Sequence, residues 1–189
     1  MNGIELFQRA NRHGPRTAIL SNGLTHTYHD LLGASKEVSQ VLLNGAPDLA
    51  EARIAFLIPG SFEYVAVLWG IWRAGGIAVP LSTAAREPEL EHVFTDAEVK
   101  VTLVSEALRH RLEGLSQRLG FSLESVERIL GEGWMAPGGE MPSNLSQVGS
   151  PGTSPPEGRS GGLPTITPGR RALMLYTSGT TSKPKGVVS

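Results

Sequence analysis

Ile54-Ala55-Phe56-Leu57-Ile58 is a short unbroken apolar run between Arg53 and Pro59-Gly60. A strand with one wet face alternates apolar and polar residues; a run with no alternation is a strand buried on both faces, the habit of parallel sheets. Phe62 to Ala74 follows with helical character, Glu63 in its first turn and Arg73 in its last, so both charges complement the helix dipole. Gly75-Gly76 closes that helix, and Ile77-Ala78-Val79 is a second buried strand, cut off by Pro80. This strand–helix–strand unit is expected to cross over right-handed.

The pattern extends in both directions. Upstream, Ile4 to Ala10 reads as a short helix, and Thr17 to Leu20 and Leu24 to Tyr28 as the strands of a hairpin around Ser21-Asn22-Gly23. His29 to Leu43 has helical spacing and ends at Asn44-Gly45. Downstream, Glu87 to Asp96 reads as a helix opened near Pro88, and Val99 to Val104 as a strand. Ser105 to Leu119 reads as one amphipathic helix, with Leu108, Leu112, Leu115 and Leu119 on one side, and Val126 to Leu130 as another strand. The fold class expected is α/β, a layered, largely parallel sheet with flanking helices.

Residues 136–169 differ. More than half of them are Gly, Pro or Ser, without apolar periodicity, which predicts a flexible surface excursion. Structure is expected to resume with the strand Ala172 to Tyr176. The division read from the sequence is therefore 1–135 for the first part of a domain, 136–169 for the excursion, and 170–189 for a strand, a loop and the start of a further strand.

Composition excludes several functions. With 17 Lys and Arg against 18 Asp and Glu, the formal net charge is −1, and no electrostatic field favours nucleic acid. There are no cysteines, hence no disulfide, thiolate metal site or cysteine nucleophile. The longest apolar run, Val65 to Leu81, contains Arg73 and falls short of the roughly 20 apolar residues a membrane span needs. Met1 to Arg16 has no apolar signal core. A cytoplasmic location is expected, and Arg9, Arg12 and Arg16 leave a mitochondrial one open. The five histidines show no metal-like pairing, and Trp69 and Trp72 read as core.

The chemistry concentrates in Thr177-Ser178-Gly179-Thr180-Thr181-Ser182-Lys183-Pro184-Lys185-Gly186. Hydroxyls at 177, 178, 180 and 181 can donate to phosphate oxygens, and successive backbone N–H groups in such a turn form an anion-binding nest. Gly179 and Gly186 permit close approach of a ligand. Lys183 and Lys185 add positive charge. The loop is not a Walker A motif, which needs G-x-x-x-x-G-K-[ST] opening a helix. Val187-Val188 instead reads as a strand, so the loop should join two strands.

Tyr176 to Gly186 closely resembles the signature loop of the AMP-forming adenylate ligases: acyl-CoA synthetases, luciferases and peptide-synthetase adenylation domains. The one departure is Ser182, where that family usually has Gly. Thr25 to Leu31, Arg53 to Gly60 and Arg73 to Leu81 resemble further family segments in the family's order. Trp69-Gly70-Ile71-Trp72 resembles the malonyl- and short-acyl-CoA synthetase branch.

The resemblance implies ATP, Mg2+ and coenzyme A as reactants and cofactor, with a carboxylic acid, fatty, short-chain or malonic, as substrate. The acid attacks the α-phosphate, and the thiol of coenzyme A then displaces AMP. It also implies that Thr177, Ser178, Gly179, Thr180, Thr181 and Lys185 grip the nucleotide phosphates, without a proton-transfer role. The family's later motifs have no counterpart in these 189 residues. The expectation is therefore an N-terminal fragment of a ligase that does not complete a turnover by itself. The alternative is a short non-catalytic isoform that binds nucleotide weakly or regulates. Neither the acid nor the oligomeric state can be read from the sequence.

Overall fold

The computed structural model of the chain describes residues 4–131, 163–167, 169–177 and 185–189. Helix α1 (Glu5–Arg12) leads into the antiparallel hairpin β1 (Thr17–Ser21) and β2 (Leu24–Thr27). Helix α2 (Tyr28–Leu43) starts at once because Thr27 and Asp30 form a reciprocal capping box. The Asp30 amide donates to Thr27 Oγ1 at 3.2 Å, and the Thr27 amide donates to Asp30 Oδ2 at 2.7 Å. Asn44 ends the helix in the left-handed region, at φ 43°.

The main sheet has β3 (Arg53–Leu57), β4 (Ile77–Pro80), β5 (Val101–Val104) and β6 (Ser122–Ser125), all parallel, in the order β4-β3-β5-β6. Strand β3 alternates between two cores, which accounts for its unbroken apolar sequence. Ile54 and Phe56 face α2, α3 (Phe62–Arg73) and α7 (Val126–Leu130). Ala55 and Leu57 face α4 (Glu87–Asp96) and α6 (Glu113–Leu119). Helices α2 and α3 cross closely at Gly70, where a Cβ would lie 2.5 Å from Cβ of Val38. The Gly75-Gly76 turn that closes α3 packs against the core: a Cβ on Gly76 would crowd Leu49 and Ile71.

Two expectations fail. The Ser105 to Leu119 segment is not one helix but a single turn, α5 (Glu106–Arg109), followed by α6. Between them the backbone tightens to three-residue turns, the Arg111 amide donating to Leu108 O at 3.0 Å and the Leu112 amide to Arg109 O at 2.9 Å, while the Arg111 guanidinium is held by the carbonyls of Thr83 and Ala85 in the loop after β4. Val126 to Leu130 is helical, not extended. Ser125 caps it by accepting the Arg128 amide at 3.4 Å, and Val126, Ile129 and Leu130 have the i, i+3, i+4 spacing of a helix face. The strand in this region is the more polar Ser122–Ser125.

Beyond the described gap, β7 (Met174–Thr177) pairs antiparallel with β8 (Lys185–Val188). The approach to β7 runs parallel beside β4, through an Ala78–Leu173 bridge and the Ala78 amide donating to Ala172 O at 2.9 Å. Most of residues 136–169 lies outside the described residues.

Candidate functional site

Because β7 enters parallel to β4, its carboxyl end points the same way as the carboxyl ends of the main sheet. Open α/β sheets bind ligands at that end. The register Tyr176–Gly186 and Thr177–Lys185 makes Thr177 and Lys185 the closing pair of the turn. The expectation that the loop joins two strands is met. Ser178, Gly179, Thr180 and Thr181 lie outside the described residues, as does the side chain of Thr177. The structure therefore sets two of the six candidate residues, Thr177 and Lys185, opposite each other at the mouth of the turn, with Lys185 exposed.

Gly186 has a different reason from the one its composition suggests. It is absent from the residues with positive φ. A Cβ there would lie 2.5 Å from Met174 Cε and 3.0 Å from Tyr176 Cζ. The glycine makes room for the Tyr176 ring across the strand pair. The Tyr176 hydroxyl donates to Asp96 Oδ2 at 2.6 Å, at the end of α4. Burial first, and the Asp96 contact second, push the Tyr176 pKa upward, so the phenol stays protonated and acts as a donor.

Tyr176 also borders a cavity of about 290 Å³ at the carboxyl end of β4, lined by Pro80, Leu81, Ser82, Glu89 and Val93 among others. Neither Tyr176 nor Asp96 is marked by the sequence as a site residue. The pair is 80 positions apart, and the one local signal is an aromatic residue directly before the hydroxyl-rich loop.

The start of β7 is fastened separately. Trp72 Nε1 donates to Ala172 O at 2.7 Å, which gives this tryptophan a polar task besides packing, while Trp69 is buried against Phe7. Arg170 reaches both carboxylate oxygens of Asp48 and donates to Gly75 O at 2.9 Å. Gly75, at φ 79°, leaves space for this pair; a Cβ would lie 2.3 Å from Asp48 Oδ1. Arg171 donates through its amide and Nε to Glu51.

The Arg170 hydrogen bond holds the Asp48 pKa below its ordinary 3.8, and the Arg171 amide bond does the same for Glu51 below 4.5. Depressed carboxylate values mean a contribution fully present above the ordinary pKa and lost as pH falls through the folded value. Melting temperature should therefore fall more steeply between about pH 5 and about pH 2 for the native chain than for an Asp48→Asn variant. Parallel pH curves would exclude this linkage.

Among the described residues no group of three His, Asp or Glu side chains is placed to hold a metal ion. His26 is buried and stacked on Phe62 with ring centroids 4.0 Å apart. No helix among the described residues is long and apolar enough to cross a membrane.

A parallel α/β sheet with a hydroxyl- and lysine-rich hairpin loop at its carboxyl end is the arrangement expected of an adenylate-forming domain. The chain belongs to the AMP-binding enzyme family, whose profile it matches over residues 6–189. It is 31% identical over 192 residues to a mitochondrial malonate–CoA ligase, ACSF3, of Xenopus laevis, covering 98% of this chain and 30% of that protein. The corresponding Homo sapiens protein is 32% identical over 189 residues, covering 97% and 29%. The chain thus spans about 30% of the length of these relatives. The N-terminal subdomain of Klebsiella oxytoca NpsA superposes with a TM-score of 0.70 at 20% identity, covering 97% of this chain and 40% of that one, a likeness of fold.

Proposed function

We propose that this chain supplies the phosphate-gripping part of an ATP-dependent carboxylic acid–CoA ligase, with malonate as the leading acid. The observation that carries the reading is the hairpin: Thr177 and Lys185 face each other at the carboxyl end of a parallel sheet, in a family-wide match over residues 6–189. Malonate is favoured by the names of the relatives, which are malonate–CoA ligases.

In the proposed reaction a carboxylate oxygen attacks the α-phosphorus of ATP, the bond to the bridging oxygen breaks, and pyrophosphate leaves. Coenzyme A thiolate then attacks the acyl carbonyl, and AMP leaves. The part proposed for this chain is electrostatic. The Lys185 ammonium and the N–H and hydroxyl donors of residues 177–181 take up charge growing on the departing pyrophosphate. Magnesium would neutralise phosphate charge, but the described residues offer no ligand cluster for it, and no step is assigned to it through them.

The test is pyrophosphate release by the natural gene product with ATP and a panel of short mono- and dicarboxylic acids. Malonate-dependent release is expected. Release with a different acid would move the substrate. Nucleotide binding without release for any acid would leave the non-catalytic reading in its place.

A further inference from the structure

The hairpin is held at two points, and the two differ in what they can do. The anchor at Ala172 is shared by Trp72 and Ala78 and lies two residues before β7, five before the closing residue Thr177. The second anchor lies at Tyr176, one residue before the closing pair Thr177–Lys185. There the phenol hydroxyl meets Asp96 at 2.6 Å and the ring meets His92 edge-on, with centroids 6.3 Å apart. His92 and Asp96 are one turn apart on α4, so a single helix face receives both ring and hydroxyl.

Across the strand pair the same ring occupies the space that Gly186 leaves. Gly186 is the neighbour of Lys185. One side chain therefore ties α4 to both strands at the mouth of the turn.

We infer that Asp96 is a positioning residue for the phosphate grip: through its hydrogen bond to Tyr176 it sets the Thr177–Lys185 closing pair against the carboxyl end of the sheet. The inference rests on the reading of this turn as a phosphate site. Asp96 touches no substrate in this scheme. Its carboxylate accepts the phenol proton's hydrogen bond and leaves the proton on Tyr176, so no proton is exchanged during the reaction. The raised Tyr176 pKa agrees with this donor role.

The test is equilibrium binding of inorganic tripolyphosphate to the natural gene product, with melting temperature recorded for every variant. Tyr176→Phe keeps the ring and removes the donor. Asp96→Ala removes the acceptor, and Asp96→Asn keeps an amide oxygen as acceptor. Losing this hydrogen bond lowers the share of molecules that hold the closing pair in its binding position, and affinity falls with that share, an expected loss of about tenfold for Tyr176→Phe and for Asp96→Ala. The double variant should bind no more weakly than either single one, because both act through one contact. Asp96→Asn should restore most of the affinity. A general loss of packing would lower the melting temperature without reproducing this non-additivity or the rescue.

Lys185→Ala is the control for the phosphate reading itself. If it weakens binding while Tyr176→Phe and Asp96→Ala bind as the native protein does, the positioning role is wrong and the phosphate site stands. The role is equally wrong if the two single losses multiply. If Lys185→Ala binds like the native protein, or if the native protein binds no tripolyphosphate, the phosphate reading fails and this inference with it.

Discussion

Lys185→Ala should lower ATP-dependent acid activation by the natural gene product by about a hundredfold, at an unchanged melting temperature. The size follows from removing one preorganised positive donor from the oxygen atoms where charge grows in the transition state, typically worth about 100- to 1,000-fold. The constancy of the melting temperature follows from exposure. Lys185 is solvent-exposed at the start of β8 and takes part in no ion pair among the described residues. The measurement is pyrophosphate release at saturating acid and ATP. Arginine at the same position keeps the charge and should recover part of the rate. A rate within about threefold of native for the alanine variant would remove Lys185 from the phosphate grip.

Phe56→Ala should cost about 3–5 kcal/mol of stability. Phe56 is fully buried in the strand that has a parallel neighbour on each side, opposite Pro80 and Leu103. Its ring also meets Tyr64 edge-on, with centroids 5.0 Å apart. Truncation leaves a void that cannot collapse without breaking the register on both sides, so the cost belongs at the upper end for an aromatic-to-alanine change. For a chain of this length that corresponds to a melting temperature lower by roughly 10 °C. Thermal denaturation followed by far-ultraviolet circular dichroism measures it. A loss under about 1 kcal/mol would mean that the central strand is not the keystone of the two cores.

The parts of the fold most legible in the sequence are those where one physical signal dominates. Arg53–Leu57 and Ile77–Pro80 stand out because burial on both faces removes every polar position from their interior. Glu87–Asp96 has the bounds its sequence suggests, with Pro88 near the start and Glu87 and Glu89 in the first turn. The failures lie where a distant partner decides. Leu108, Leu112, Leu115 and Leu119 fit one helix, but Arg111 is bonded to carbonyls 26 and 28 residues away, which no local window contains. Strand β6 is hidden because it forms an edge of the sheet and carries Ser122, Glu124 and Ser125 in four positions.

The site divides the same way. The hydroxyl and lysine pattern marks the loop, and the register confirms that two strands flank it. What holds β7 and its approach in place is not legible, since Asp48, Trp72 and Asp96 are separated from Arg170, Ala172 and Tyr176 by 122, 100 and 80 positions. Gly186 teaches the opposite lesson. Its presence in the motif reads as room for a ligand, whereas the atoms that claim the room belong to Met174 and Tyr176.

The long separation between β4 and its late neighbour matters while the chain is being synthesised. The Ala78 amide takes its partner from Ala172, so for nearly a hundred residues of translation the outer margin of β4 faces solvent without its mate. Such a margin is a template for unwanted pairing between nascent chains. The strand is only four residues long and ends in Pro80, which has no N–H to offer. Brevity and that proline limit how far a stray strand could zip along β4 before Ala172 emerges.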